Sequence, residues 1–320
     1  MRLSFWFLGL TFAAAFTTAA SAQNIAIVGG RADDPFFAKV KRGIDDAATI
    51  VKAHGGRVTY LSLQTYDNIG SDAANLVRTA VGQGANGIAA PNWVPSAEDG
   101  AFRAAAAAGI PFLLYNAGGT KKAEELGGLN YVGTEDYVTG LAAGEYFGAH
   151  GAKNVTCVNT VPGAQNLEDR CRGVVDGVAK HGGRAKQLPL PATSFGNPTA
   201  VAEAIKAALL GDDSIDGVMT QGNQDADAAG NAIMQAGAAG RVKFGSFNLD
   251  QAGLDRIHNG TQTFVVDQQG YLQGFMADFL LDAALNYAIT TPTNPILTGP
   301  VVVDASNADA VSKAVKAGVR

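Results

Sequence analysis

Asn24-Ile25-Ala26-Ile27-Val28-Gly29-Gly30-Arg31-Ala32-Asp33-Asp34-Pro35-Phe36-Phe37 is the stretch whose reading decides the fold. Ile25 to Val28 is apolar throughout, without the alternation of a strand that has one wet face, so it reads as a strand covered on both sides. Beyond it, Phe37, Val40, Ile44, Ala47 and Val51 recur at spacings of 3, 4, 3 and 4, which places them on one face of a helix. Val58-Thr59-Tyr60-Leu61 follows as a second strand. Strand, helix, strand in this order is the signature of a parallel sheet with its crossover helix.

The alternation continues along the chain, with strand-type runs at 87–90, 110–115, 154–158, 215–220, 242–247 and 263–266. His54-Gly55-Gly56-Arg57 precedes one strand and His181-Gly182-Gly183-Arg184 precedes another, as two similarly built α/β domains in tandem require. The chain is expected to cross between them near Tyr131 to Asp136, to return near Val265 to Gln269, and to cross again near Leu297 to Val302. The third crossing is needed because the last helical pattern, Ala308 to Ala317, needs a sheet to cover. The expected division is therefore 23–132 with 267–297, and 133–266 with 298–320. All four histidines, His54, His150, His181 and His258, stand one or two positions before a Gly where a helical pattern stops. A His there meets the negative end of the helix while Gly takes the left-handed closing conformation, which leaves no histidine for catalysis or a metal cluster.

The chain has 320 residues, enough for two domains with cores of their own. Hydrophobic content of 47% against 17% charged excludes a disordered chain. A net charge of −5 with no long basic run argues against nucleic acid or an anionic membrane as partner. Arg2, the apolar run Leu3 to Phe16 and Ala20-Ser21-Ala22 read as a secretory signal over residues 1–22, with the mature chain free in the periplasm. In that oxidising compartment Cys157 and Cys171 are expected to form a disulfide rather than remain as buried thiols.

In an open parallel sheet, ligands bind at the loops leaving the carboxyl ends of the strands. Those loops collect Asp33, Asp34, Phe36 and Phe37, then Asn92 and Trp93, Asn116, Asn166 and Arg170. Gln221, Asn223, Gln224 and Asp225 follow, with Asn248, Asp250, Asp267 and Gln268. Amides, carboxylates and one guanidinium hydrogen-bond hydroxyls, and flat rings cover the C–H face of a sugar. Each also has a plainer role: Asp34 can start a helix, Phe36 and Phe37 can be core, and Arg170 can pair with Glu168 or Asp169 at the surface. No G-x-G-x-x-G follows the first strand, and no phosphate-binding loop, nucleophile elbow or H-E-x-x-H is present. The chain is read as a binding protein without a cofactor or bound metal, the alternative being an exported hydrolase that uses carboxylates such as Asp34 and Asp267.

The exported chain, Asp34-Pro35-Phe36-Phe37, Gly109-Ile110-Pro111, Arg170-Cys171-Arg172-Gly173 and Asp267-Gln268-Gln269-Gly270-Tyr271-Leu272-Gln273-Gly274 together resemble the periplasmic sugar-binding proteins of ABC transporters, in the ribose-binding-protein-like branch, over residues 24 to 303. The resemblance implies two Rossmann-like α/β lobes with parallel sheets, joined by a three-segment hinge that closes on one sugar or polyol, and a monomer that docks on an inner-membrane permease. A sensor for a chemoreceptor or histidine kinase would share this architecture. By position, Phe36 and Phe37 would sandwich the sugar ring with Phe195 from the other lobe. Arg170, Asn116, Asn248 and Gln268 would supply polar contacts, with Gln224 or Asp225 opposite. Ribose binders carry an Asp-Arg pair where this chain has Asn116-Ala117, many relatives carry Asp where it has Asn248, and Asn92-Trp93 adds a bulky ring. These departures argue against ribose itself and leave another pentose, a hexose or a polyol.

Overall fold

The structure is a computed structural model that describes residues 22–291 and 293–320, so the segment read as a secretory signal lies, Ala22 apart, outside the described residues. A first sheet is built by β1 (Asn24–Gly29), β2 (Arg57–Ser62), β3 (Gly87–Ala90), β4 (Phe112–Tyr115) and β5 (Tyr131–Gly133). Helices α1 (Pro35–Ala53), α2 (Ile69–Gly82), α3 (Pro95–Ala107) and α4 (Gly119–Leu126) fill the connections. The chain then passes into a second unit through α5 (Asp136–Ala149), β6 (Asn154–Asn159), α6 (Gln165–Ala179), β7 (Arg184–Pro189) and α7 (Pro198–Gly211). It continues with β8 (Gly217–Thr220), α8 (Asn223–Gln235), β9 (Lys243–Phe247), α9 (Gln251–His258) and β10 (Phe264–Asp267). Helix α10 (Gly270–Tyr287) and β11 (Ile296–Leu297) return to the first sheet, and β12 (Val301–Asp304) and α11 (Ala308–Lys316) finish on the second.

The two sheets repeat one strand order, β2-β1-β3-β4-β5-β11 and β7-β6-β8-β9-β10-β12. β1 and β6 occupy matching interior places and are buried along their whole length, which is why their sequences are unbroken apolar runs or nearly so. Among the described residues all strand pairings are parallel except one: β12 runs antiparallel to β10. The cause is its route. β11 runs parallel to β5 toward the carboxyl ends of the first sheet, and the short link at 298–300 delivers the chain to the same end of the second, so β12 has to run back.

Glycine sets the spacing of the helix pairs on which the site is built. A Cβ on Gly140 of α5 would stand 2.0 Å from the carbonyl oxygen of Arg170, and one on Gly173 of α6 2.2 Å from that of Tyr137. The first half repeats the device, with Gly43 of α1 2.0 Å from the Tyr271 oxygen and Gly274 of α10 2.0 Å from that of Val40. Backbones this close leave no room for a side chain. His54 and His150 close α1 and α5 as C-caps, and His54 also meets the buried Asp282 at 2.7 Å.

Candidate functional site

The carboxyl ends of the two sheets face each other across a cavity of about 550 Å³, counting the part that opens to solvent. Its first wall starts at Asp34, which caps α1: one carboxylate oxygen accepts from the Phe36 amide at 2.9 Å and the other from the Tyr66 hydroxyl at 2.7 Å. Burial pushes the Asp34 carboxyl above its ordinary range, and burial beside Asp34 pushes the Tyr66 phenol well up. The cap turns the first turn of α1 toward the cavity. Phe36 and Phe37 pack edge to face at 5.3 Å, and Phe37 meets Trp93 in the same manner at 5.8 Å. Each of the three lines the cavity while burying its far side in the core.

Asn116, directly after β4, and Asn248, directly after β9, occupy equivalent places in the two halves, and both have left-handed backbone with φ of 63° and 68°. Asparagine is among the few non-glycine residues that tolerate this conformation, which gives a backbone reason for the amide at both places. Both line the cavity.

The opposite wall begins at the N-terminal turns of α6, where Asn166 and Arg170 line the cavity. Arg170 is 2% exposed. Its Nε donates to Asp136 at 2.7 Å, a terminal nitrogen donates to the Gln268 side-chain oxygen at 2.6 Å, and its guanidinium carbon lies 4.8 Å from the centre of the Phe247 ring. The surface pairing open to Arg170 in the sequence is taken instead by Arg172, which meets Asp169 at 2.9 Å. Desolvation pushes Asp136 up to about 7 despite the facing guanidinium. Asp225, at the start of α8, accepts from the Thr160 hydroxyl at 3.0 Å, and burial pushes it up to about 7 as well. Gln224 lines the cavity beside it.

Gln268 stands where the three passages between the sheets meet. Its side-chain amide donates to Asn248 at 2.6 Å, and its side-chain oxygen accepts from Thr134 at 3.3 Å as well as from Arg170. Its main-chain oxygen accepts from the Thr298 hydroxyl at 2.7 Å, and the Thr298 amide donates to Gly133 at 2.8 Å. Residues after β5, β10 and β11 are thus tied to one another directly under the cavity.

Phe195 reaches the cavity from the second half, but its ring packs edge to face on Tyr66 at 4.5 Å, with the Arg31 guanidinium 5.5 Å from its centre. It closes one side, together with the Gln165 amide donating to the Trp93 carbonyl at 2.7 Å and Lys39 donating to the Leu249 carbonyl. Asn92, read from the sequence as a ligand contact, stands apart from the cavity lining. It is fully buried and not among the lining residues, because its amide donates to Asp99 at 2.9 Å and its main-chain N–H to Ala117 at 3.1 Å. Tyr66, Thr160 and Leu167 also line the cavity, and no sequence motif marks them. Tyr66 lies in irregular chain after β2 and Thr160 one residue past β6, where only the strand-end rule could have found them.

Cys157 and Cys171 are joined by a disulfide with 5.6 Å between their Cα atoms, fastening α6 to β6. Among the described residues no helix is long and apolar enough to cross a membrane.

A family model for the periplasmic binding protein domain matches residues 25–288. A xylose/arabinose-binding protein from Sulfolobus acidocaldarius is 25% identical over 283 residues, covering 81% of this chain and 67% of the relative. A solved carbohydrate transporter from Acidothermus cellulolyticus, in complex with myo-inositol, matches with a TM-score of 0.84 at 30% identity, over 93% of this chain and 100% of that one. A solute-binding protein from Burkholderia graminis in complex with D-arabinose matches with a TM-score of 0.77 at 21% identity over 90% and 97% of the two chains, a likeness of fold. None of these relatives is an enzyme. With two sheets of one strand order, a cavity between their carboxyl ends and a family match over most of its length, the chain belongs to the sugar-binding periplasmic binding proteins of type I.

Proposed function

We propose that this chain captures an uncharged sugar or polyol between two lobes, in the periplasm, and delivers it to an ABC importer of the inner membrane. The lobes are residues 23–132 with 267–297 and residues 133–266 with 298–320, and they close about the three passages tied together by Thr134, Gln268 and Thr298. The observation that carries the reading is the charge state of the cavity. Among the described residues its one lining Lys or Arg is Arg170, already shared between Asp136 and Gln268, while Asp34 and Asp225 are buried carboxyls raised above their ordinary range. Among those residues the one cation already spends two of its nitrogens on Asp136 and Gln268, whereas amides and hydroxyls suit a polyhydroxy ring and Phe36, Phe37 and Trp93 supply apolar faces. The relatives that bind xylose or arabinose, and myo-inositol, support the same class.

Ligand-binding roles are assigned on this reading to Asp34, Phe36, Phe37, Trp93, Asn116, Asn166, Arg170, Phe195, Gln224, Asp225, Asn248 and Gln268. Closure requires no bond to be made or broken. A thermal-shift screen over pentoses, hexoses, inositols and sugar acids tests the reading. The expected result is stabilisation by at least one neutral member, recovered chemically unchanged; stabilisation by sugar acids alone, or turnover of the ligand, would overturn it.

A further inference from the structure

Gln221 follows β8 by one residue, and the β6–β8 register pairs Cys157 with Met219. Two residues beyond Met219, the Gln221 side chain leaves the same face of the sheet as Cys157, the face covered by α6 and Cys171. Its Nε2 stands 3.1 Å from both sulfurs of the disulfide. A disulfide sulfur has lone pairs and no hydrogen, so it can accept and never donate. The side-chain amide has one donating and one accepting end, and only the donating end can face the sulfurs. The accepting end, Oε1, is therefore turned away from them. Gln221 is 4% exposed and lines the cavity, and its Oε1 is buried without a partner. On the same wall, Asn166 Oδ1 and Gln224 Oε1 are also buried without partners.

We propose that the Cys157–Cys171 disulfide is a positioning element of the ligand cavity. It fixes the polarity of the Gln221 amide, so that Gln221, with Asn166 and Gln224, selects a ligand that presents hydroxyl donors to this wall. The inference rests on the sugar or polyol reading above and adds to it a specificity-determining residue and the group that orients it. Ligands with a deoxy or O-methyl position at this wall leave a buried acceptor unpaired and are rejected. Replacing the disulfide by groups that can donate, or by none, frees the amide to turn its NH2 toward the cavity.

The test is a double-mutant cycle read by calorimetry with myo-inositol and D-arabinose as probes. Cys157→Ala/Cys171→Ala should weaken whichever probe the parent binds by roughly threefold to tenfold, the value of one hydrogen bond. In a Gln221→Met background the same Cys changes should leave affinity unaltered. A disulfide that acts only by bracing α6 and Arg170 would cost the same in both backgrounds, and that result overturns the proposal. Cys157→Val/Cys171→Ala, which restores apolar volume, serves if the first pair does not fold. A ligand-free arm separates this inference from the function itself. The side-chain amide resonance of Gln221, assigned by its loss in Gln221→Met, should shift when the disulfide is removed from the unliganded protein, and an unmoved resonance refutes the positioning role. If neither probe binds the parent chain, the cycle is read with the neutral sugar or polyol that stabilises the protein most in the thermal-shift screen; if that screen yields none, the ligand class is what fails, and the resonance still decides the role of the disulfide.

Discussion

Arg170 and Asp136 show how a single buried pair can be read and tested. Their side chains meet at 2.7 Å with almost no exposure, so removing one leaves the other desolvated and alone. Arg170→Ala should therefore lower the stability of the unliganded protein by about 3 kcal/mol, beyond any effect on ligand. The loss should depend on pH. Asp136 is raised to about 7 in the folded chain even with its partner, and an unfolded Asp ionises near its ordinary value of 3.8. Between those values the folded state holds the proton more tightly, so stability falls as pH rises, and without the guanidinium, which holds the folded value down, the fall should continue to higher pH. Denaturant melts at about pH 5.5 and about pH 8 check this; an equal loss at both would contradict it. Asp278 on α10 isolates the same physics away from the cavity. It is fully buried, both of its oxygens lack partners, and burial together with Asp282 raises it to about 7. Asp278→Asn should stabilise the protein at about pH 8, by on the order of 1–3 kcal/mol, and change little at about pH 5. A thermal melt at each pH is sufficient to see it. At this scale the sequence showed which residue types stand at strand ends: Phe36, Asn116, Arg170 and Gln268 line the cavity, whereas Asp33, Asn223, Asp250 and Asp267, collected by the same rule, do not. It could not show where a side chain turns: Asn92 sits at a strand end yet bonds to Asp99 behind it.

Helices and strands differ in how openly they are written in the chain. Interior strands such as β1, β3 and β4 are buried along their length and are apolar almost without interruption, so they are legible. β7 lies at a sheet edge with alternating exposure and carries Arg184, Lys186 and Gln187, and only the repeated His-Gly-Gly-Arg announced it. β5 and β11, with three and two residues, are too short to show any period. The close approach of α5 to α6 was also hidden, because a glycine in a helical pattern looks the same whether it faces solvent or a backbone. Gly140 and Gly100 make the difference measurable. Gly140→Ala pushes a methyl group into the Arg170 carbonyl, so it should destabilise by at least about 2 kcal/mol and weaken ligand binding as Arg170 shifts. Gly100 is exposed in α3, with open space where a Cβ would stand, and should gain about 0.5–1 kcal/mol from the same change. Paired denaturant curves decide; a neutral Gly140→Ala would mean that the helices can separate without cost.

The whole molecule is two copies of one topology whose carboxyl ends face each other, and that arrangement, more than any one residue, makes a site. The tandem design was legible because parallel β-α-β units repeat their signals twice. The contacts that close the cavity, Phe195 on Tyr66 and Gln165 on Trp93, join residues far apart in sequence and have no local signature. If closure is the working motion, small-angle scattering should show a smaller radius of gyration with saturating ligand than without it, and an unchanged radius would count against a moving hinge. The central claim is that one uncharged polyhydroxy ligand occupies the cavity between the halves and is bound without being transformed. Calorimetric titration of ligand-stripped protein with neutral pentoses and inositols, followed by chemical identification of what is released, tests it most directly. The account predicts saturable binding of one ligand per chain, weakened at least tenfold by Phe36→Ala or Gln268→Ala and recovered unaltered. Absence of heat with every neutral sugar and polyol, or full affinity in both folded variants, would contradict it.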